Sequence, residues 1–316
     1  MSPHLSRQNL LIKKSADLWD SLSPIFVKDL RQGMRANVFV WPFTALQIVA
    51  LVITCIDLMV SSELSTSGGF LFGGGLMMEM MRIVFWGLLP LTLFGSLQSE
   101  LGSGRNVELL LMSNLSRWQI VLGKWGVGSV LSLLMLVSLI PYVFTRYYLG
   151  NIDVIQMLLQ IGSMIVGNVL ANAIVIGCSG FRNYVGRVFM ILWIVGTCAV
   201  TYGIGVAAVS VSSMVSGTTS RGMIVWISLA AICSAALFIV MGLQLGRARL
   251  KLFDDPLDPP ATGLIIVLIV CSPIVIGIAT AISAGYAGWV GALIMAVLAV
   301  IIDPGPGKKK RRFAQP

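Results

Sequence analysis

Between Asp258 and Asp303 the chain carries no charged residue. That stretch is too long for one membrane-spanning helix, which needs about 20 apolar residues to cross roughly 30 Å of hydrocarbon. "SAGYAG" at 283–288 supplies a tight turn in its middle, so the stretch reads as a hairpin of two spans, 263–283 and 286–302. Comparable apolar runs lie at 38–56, 83–98, 125–145, 154–180, 188–211 and 222–245. Composition agrees: 57% of residues are hydrophobic and 11% charged, against roughly 25% charged in a soluble domain. The expected fold class is all-α, a polytopic integral membrane bundle of about eight transmembrane helices. The second run is short, is bounded by Arg82 and Glu100 and contains Pro90. If it or the last hairpin is re-entrant, six or seven spans follow. The first 35 residues are polar and basic with no apolar h-region, so no signal peptide is expected.

Orientation follows from the bias of Lys and Arg towards cytoplasmic loops. With eight spans, one side receives the N-terminus, segment 99–124, loops 181–187 and 246–260, and the C-terminus. Of the 22 Lys and Arg residues, all but Arg82, Arg146 and Arg221 fall on that side. Both termini are therefore expected in the cytoplasm, in the plasma (cytoplasmic or inner) membrane. The tail "KKKRR" at 308–312 is read as a topology anchor touching anionic headgroups. No aromatic residue is interleaved with it to stack on bases, so no nucleic-acid partner is expected.

Residues that would mark an enzyme are missing. The only histidine is His4, and no phosphate-binding G-x-x-x-x-G-K-[ST] loop occurs. Cys55, Cys178, Cys198, Cys233 and Cys271 fall in five different apolar runs, with no C-x-x-C pair. They read as small hydrophobes, not as a disulfide framework or a metal knuckle. No catalytic, cofactor-binding or metal site is expected. "SGGFLFGGG" at 67–75 is glycine-rich but lacks a strand–helix context, so it reads as a flexible loop or a short interfacial dip. Asp57, Glu79, Arg82, Arg146 and Asp153 are placed at external span ends, where snorkelling and solvation suffice. Spans without interior charge weigh against ion-coupled secondary transport, although backbone carbonyls at broken helices also bind sodium. Gly277, Ala281 and Gly285 repeat every four residues, and Asn168 and Asn172 form a similar polar stripe. Both stripes are read as helix-packing faces, with a substrate groove as the alternative.

Segment 99–124 concentrates charge that the rest of the chain avoids. It begins at Glu100, turns through Gly102 and Gly104, and runs Arg105, Glu108, Leu109, Leu110, Leu111. After Ser113-Asn114 the stripe Leu115, Trp118, Leu122 predicts an amphipathic helix along the cytoplasmic surface, with Lys124 opening the next span. The N-terminus offers a companion, "SPIFVKDLRQGMRANVFVWPF" at 23–43, with Pro24 at the first helical position. Ile25, Phe26, Leu30 and Met34 can face lipid, and Lys28, Arg31 and Arg35 face phosphates and water. Pro42 marks where the first span begins.

The two segments together resemble the permease subunit of ABC-2-type ATP-binding-cassette transporters. Members open with a proline followed by a basic helix similar to "PIFVKDLRQGMR", and carry an E-L-L-L-x-x-P-L-S-R-x-x-I-V-x-G-K segment between spans two and three. The present chain shows "ELGSGRNVELLLMSNLSRWQIVLGK" at 100–124. It matches at Glu100, Gly104, Glu108, Leu109, Leu110, Leu111, Leu115, Ser116, Arg117, Ile120, Val121, Gly123 and Lys124. It departs at Arg105-Asn106, where glycine and threonine are common, and at Asn114, where proline is usual.

The resemblance implies a half-transporter without an ATPase site of its own. A separate ABC ATPase would carry ATP and magnesium, a second permease copy or paralogue would complete the pair, and export is the expected direction. It further implies a layout of cytoplasmic tail and amphipathic interface helix (1–37) and a six-helix permease core with the coupling elbow at 99–124 (38–246). A linker and additional hairpin (247–302) and a basic tail (303–316) follow. Glu100, Arg105 and Glu108 are the candidate polar contacts of the elbow, and Leu109, Leu110, Leu111 and Trp118 would hold it on the bundle. A secondary transporter or channel, or a membrane anchor for an ATPase complex, are the alternatives.

Overall fold

The computed structural model describes residues 24–35, 37–60, 75–97, 117–149, 154–181, 183–216, 221–254, 262–283 and 288–302. Among these, all regular structure is helical. In chain order come α1 (Pro24–Arg35), α2 (Asn37–Val60), α3 (Gly75–Ile83), a π-helical turn (Val84–Leu88) and the short α4 (Leu89–Leu91). They are followed by α5 (Arg117–Leu149), α6 (Val154–Ser179), α7 (Tyr184–Ser216), α8 (Arg221–Asp254), α9 (Thr262–Ile282) and α10 (Gly288–Ile302).

Among the described residues, six helices are long and apolar enough to cross a membrane: α2, α5, α6, α7, α8 and α9. Side chains such as Ile155, Val185 and Ile282, 74%, 77% and 84% exposed, look outward from these helices. Surfaces of that kind aggregate in water, whereas lipid tails are as apolar as the side chains themselves. The chain is a helical membrane protein. Its last apolar helix, α10, has 15 residues, which rise only ~22 Å. The run expected as a span at 83–98 is not one helix but a π turn, a three-residue α4 and a turn at 92–95.

Contacts divide the chain into two compact units. The first comprises Met1–Thr92 with Leu122–Asn168, and the second Leu93–Val121 with Val169–Pro316. In the first unit, Leu46 and Ala50 of α2 pack with Met77, Met78 and Met81 of α3, Phe85 of the π turn, and residues of α5 and α6 that include Met135, Leu139 and Met164. Methionine is unbranched and fills irregular gaps, which suits packing against a broken rod.

The break has a local cause. Leu89 N–H bonds to Val84 O, five residues back. The next bond in that register would run from residue 90 to Phe85 O, but Pro90 has no N–H. Asn168 of α6 fills the gap: it is 3% exposed and its Nδ2 donates to Phe85 O at 2.7 Å. Beside it, a Cβ at Gly167 would fall on the Trp86 indole, so the close approach requires glycine.

In the second unit α6 and α8 cross at small residues. Gly242 and Gly246 stand four apart on α8, and a Cβ at Gly242 would lie 2.8 Å from Ala173 O. A Cβ at Gly177 of α6 would fall on the Gly242 carbonyl. Such spacing lets two backbones approach where side chains would hold them apart. α9 and α10 pair in the same way, since a Cβ at Gly288 would fall on Thr280 Cγ2 and one at Gly291 would come 3.2 Å from Ile276 Cα. Gln244 Nε2 donates to Ala299 O at 3.0 Å and ties α8 to α10. Leu237, Met241, Leu245, Ile265 and Ala292 lie within the resulting core.

Candidate functional site

Segment 99–124 carries the strongest functional signal in the sequence, and its two flanks are built differently. Glu100, Gly104, Arg105, Glu108, Leu109, Leu110, Leu111 and Ser116 lie outside the described residues, as does the side chain of Arg117. From Arg117 onward the chain is helical without interruption to Leu149. The surface helix expected to carry Trp118 and Leu122 is thus the opening of α5, because nothing between Arg117 and Lys124 breaks a helix. Lys124 is half-buried within the same rod.

The upstream flank is the turn that ends α4. Thr92 N–H and Oγ1 both donate to Leu89 O, at 3.1 and 2.7 Å, and Ser96 N–H bonds to Leu93 O at 3.0 Å. Carbonyls in such a turn have lost their helical donors and need others. Arg187, near the start of α7, supplies them. Its Nε donates to Phe181 O at 2.7 Å, and its terminal nitrogen donates to Phe94 O at 3.3 Å. The guanidinium carbon lies 5.3 Å from the centre of the Phe94 ring, which meets Tyr184 edge-on at 5.2 Å. Arg187 is 5% exposed. Early in a helix the macrodipole disfavours a cation, so carbonyl bonds and the aromatic face must hold the charge there. The downstream flank carries a second arginine: the Arg247 guanidinium of α8 lies 5.2 Å from the centre of the Trp118 ring. The Trp118 indole N–H is buried with no acceptor among the described residues. Neither arginine stands out in the sequence, where both count only towards orientation, because a backbone carbonyl leaves no sequence signal and the rings they meet, Phe94 and Trp118, are far off in the chain.

In the first unit, Pro24 opens α1 and Lys28, Arg31 and Arg35 are exposed along it. A Cβ at Gly126 of α5 would come within 2.9 Å of the Phe26 ring, and one at Gly33 within 3.1 Å of Leu131. Phe26 therefore packs on α5, where the sequence alone assigned it to lipid, and the side chain of Ile25 lies outside the described residues. A shallow groove of about 360 Å³ is lined by Val27, Lys28, Arg31 and Gln32. Pro42 sits inside α2, beyond its first turn.

The pair Glu79 and Arg82 departs from expectation. Solvation does not satisfy it: the side chains are 13% and 11% exposed and one Arg82 terminal nitrogen lies 2.7 Å from each Glu79 oxygen. The pair is carried by α3, which packs on α2, where Thr54 Oγ1 reaches Met77 Sδ at 3.4 Å. The small-residue stripe at Gly277 is also different, since a Cβ there would make an ordinary 3.4 Å contact with Ile204. The side chain of Ala281 and all of Gly285 lie outside the described residues. Of the asparagine pair, Asn168 holds the π turn and Asn172 is fully buried. All five cysteines are free thiols, and among the described residues no cluster of His, Cys, Asp or Glu is placed to hold a metal.

No family model matches the sequence, and no curated protein or solved structure matches it either.

Proposed function

We propose that the protein is the membrane-spanning permease subunit of an ATP-binding-cassette exporter of the ABC-2 type. A separate ATPase binds the elbow at 99–124 from the cytoplasm, and a second permease copy or paralogue completes the transporter. The observation that carries this reading is the run Glu100 to Lys124, which resembles the coupling segment of that family in order and spacing apart from Arg105-Asn106 and Asn114. The proposed eight-span topology puts this run on the side with most of the basic residues. Five of the six apolar helices, α2 and α5 to α8, fall within the proposed core at 38–246, and the sixth, α9, belongs to the additional hairpin. The proposed topology takes the 83–98 stretch as the second span of the core and α10 as the eighth span. Both termini face the cytoplasm and α1 lies in the interface, its cations towards lipid phosphates. ATP binding draws two ATPase subunits together, each gripping one elbow, and contacts that differ between the two states pass the free energy into the membrane.

The test is reconstitution in lipid vesicles. The pure chain has no ATPase activity, and adding the ATPase subunit that co-purifies with it gives hydrolysis stimulated several-fold over the ATPase alone. Unchanged hydrolysis on mixing would refute the proposal.

A second reading, an ion-coupled secondary transporter, is favoured by one observation: the buried Glu79–Arg82 pair. An ionisable pair among apolar helices is a functional hypothesis by default. Transport driven by an ion gradient without ATP would select it.

A further inference from the structure

We infer that Arg187 and Arg247 are positioning residues that fasten the two ends of the elbow to the second compact unit. The inference rests on the proposed coupling role of segment 99–124 for its functional consequence, but on geometry alone for the anchoring itself. In sequence the elbow interrupts the first unit, yet both of its flanks, from Leu93 and up to Val121, belong with α7 to α10. Each flank is held there by a guanidinium. At the upstream end Arg187 bridges two carbonyls, Phe94 O in the turn and Phe181 O before α7, and lies against the Phe94 ring. At the downstream end Arg247 lies against Trp118.

Arginine is required for this task. Its planar fork reaches two acceptors while its face rests on a ring, whereas lysine offers a single point charge on a flexible stem. The difference separates anchoring from orientation. A lysine keeps the positive charge that sets topology, so any loss in the lysine variant reports the fork and not the charge. Motion imposed on the elbow is delivered through these two contacts to α7 and α8.

The experiment uses the full chain in mild detergent, together with whatever ATPase co-purifies. In Arg187→Lys, the amides of Thr92 and Ser96 are expected to exchange with deuterium at least tenfold faster than in the wild type, while those of α2 do not change. In Arg247→Lys, the fluorine resonance of Trp118 in 5-fluorotryptophan-labelled protein, assigned by its loss in Trp118→Phe, is expected to shift. Exchange within twofold of wild type together with an unmoved Trp118 resonance overturns the anchoring. For the functional consequence, ATP hydrolysis stimulated by Arg187→Lys should fall at least threefold, with ATPase recovery within twofold of wild type. Recovery that falls in parallel with stimulation would make Arg187 a binding residue and overturn its positioning role. If the wild type recovers no ATPase at all, the elbow reading fails and the anchoring is still judged by exchange and resonance.

Discussion

Arg82 and Glu79 show how a charge is kept in an apolar setting: they pair one turn apart on α3, with side chains only 11% and 13% exposed. Removing one partner of such a pair leaves an uncompensated buried charge, at a cost of about 3 kcal/mol or more, whereas replacing both by apolar residues of similar volume is close to neutral. Arg82→Met is therefore expected to lower stability in a detergent unfolding titration by roughly that amount. Glu79→Leu combined with Arg82→Met should recover most of it. A double variant as unstable as Arg82→Met would mean that the charges matter for something other than each other. The sequence showed both residues but not their burial, because a pair three apart on a helix looks the same at a water-exposed end as inside a core. Arg187 was hidden for the same reason: its partners are carbonyls of Phe94 and Phe181, and a carbonyl carries no sequence signal.

At the scale of elements, glycine decides where helices touch. Gly177→Ala places a methyl group on the Gly242 carbonyl, where a neighbouring backbone cannot give way. Overpacking of this kind costs about 1–3 kcal/mol, and the α6–α8 crossing should loosen, seen as a lower unfolding midpoint. Gly196→Ala is the control: a Cβ there meets nothing within 4 Å, so the change should be neutral or stabilise by up to about 1 kcal/mol, the helix-propensity difference. Equal losses in both variants would contradict the crossing. Spacing of small residues was legible in the sequence, but which stripe is a crossing was not. Gly277 shares its four-residue spacing with Gly242 and Gly246, and only the partner helix tells them apart. Long rods were the most legible feature: the runs at 154–180 and 263–283 became α6 and α9 with ends within a residue or so. The stretch at 83–98 was not, because its break depends on Pro90 together with Asn168, a donor 83 positions from Phe85. Asn168→Leu leaves Phe85 O without that donor, and a buried unsatisfied carbonyl costs about 1–3 kcal/mol. Faster deuterium exchange across Val84–Leu91 would show it, and unchanged exchange would mean that another donor serves Phe85.

For the molecule as a whole, the proposed topology, with both termini in the cytoplasm, follows from the basic asymmetry of the sequence. Reporter fusions at Ser65, Gly150, Ser216 and Gly285 are all expected on the external face, and a cytoplasmic reading at Gly150 or Ser216 would break the eight-span topology. The central claim, that segment 99–124 recruits an ATPase, is tested most directly by quantitative co-purification of wild type and Glu108→Lys from membranes in mild detergent. Glu108 and Arg105 stand three apart, and an exposed pair of that kind is worth only ~0.2–0.5 kcal/mol, so membrane levels should not change. Losing one partner of a desolvated contact with an ATPase is larger, about 2–5 kcal/mol, or more than tenfold in affinity. The account predicts wild-type membrane levels of Glu108→Lys with at least tenfold less ATPase recovered. Equal recovery of the ATPase by both forms would contradict it.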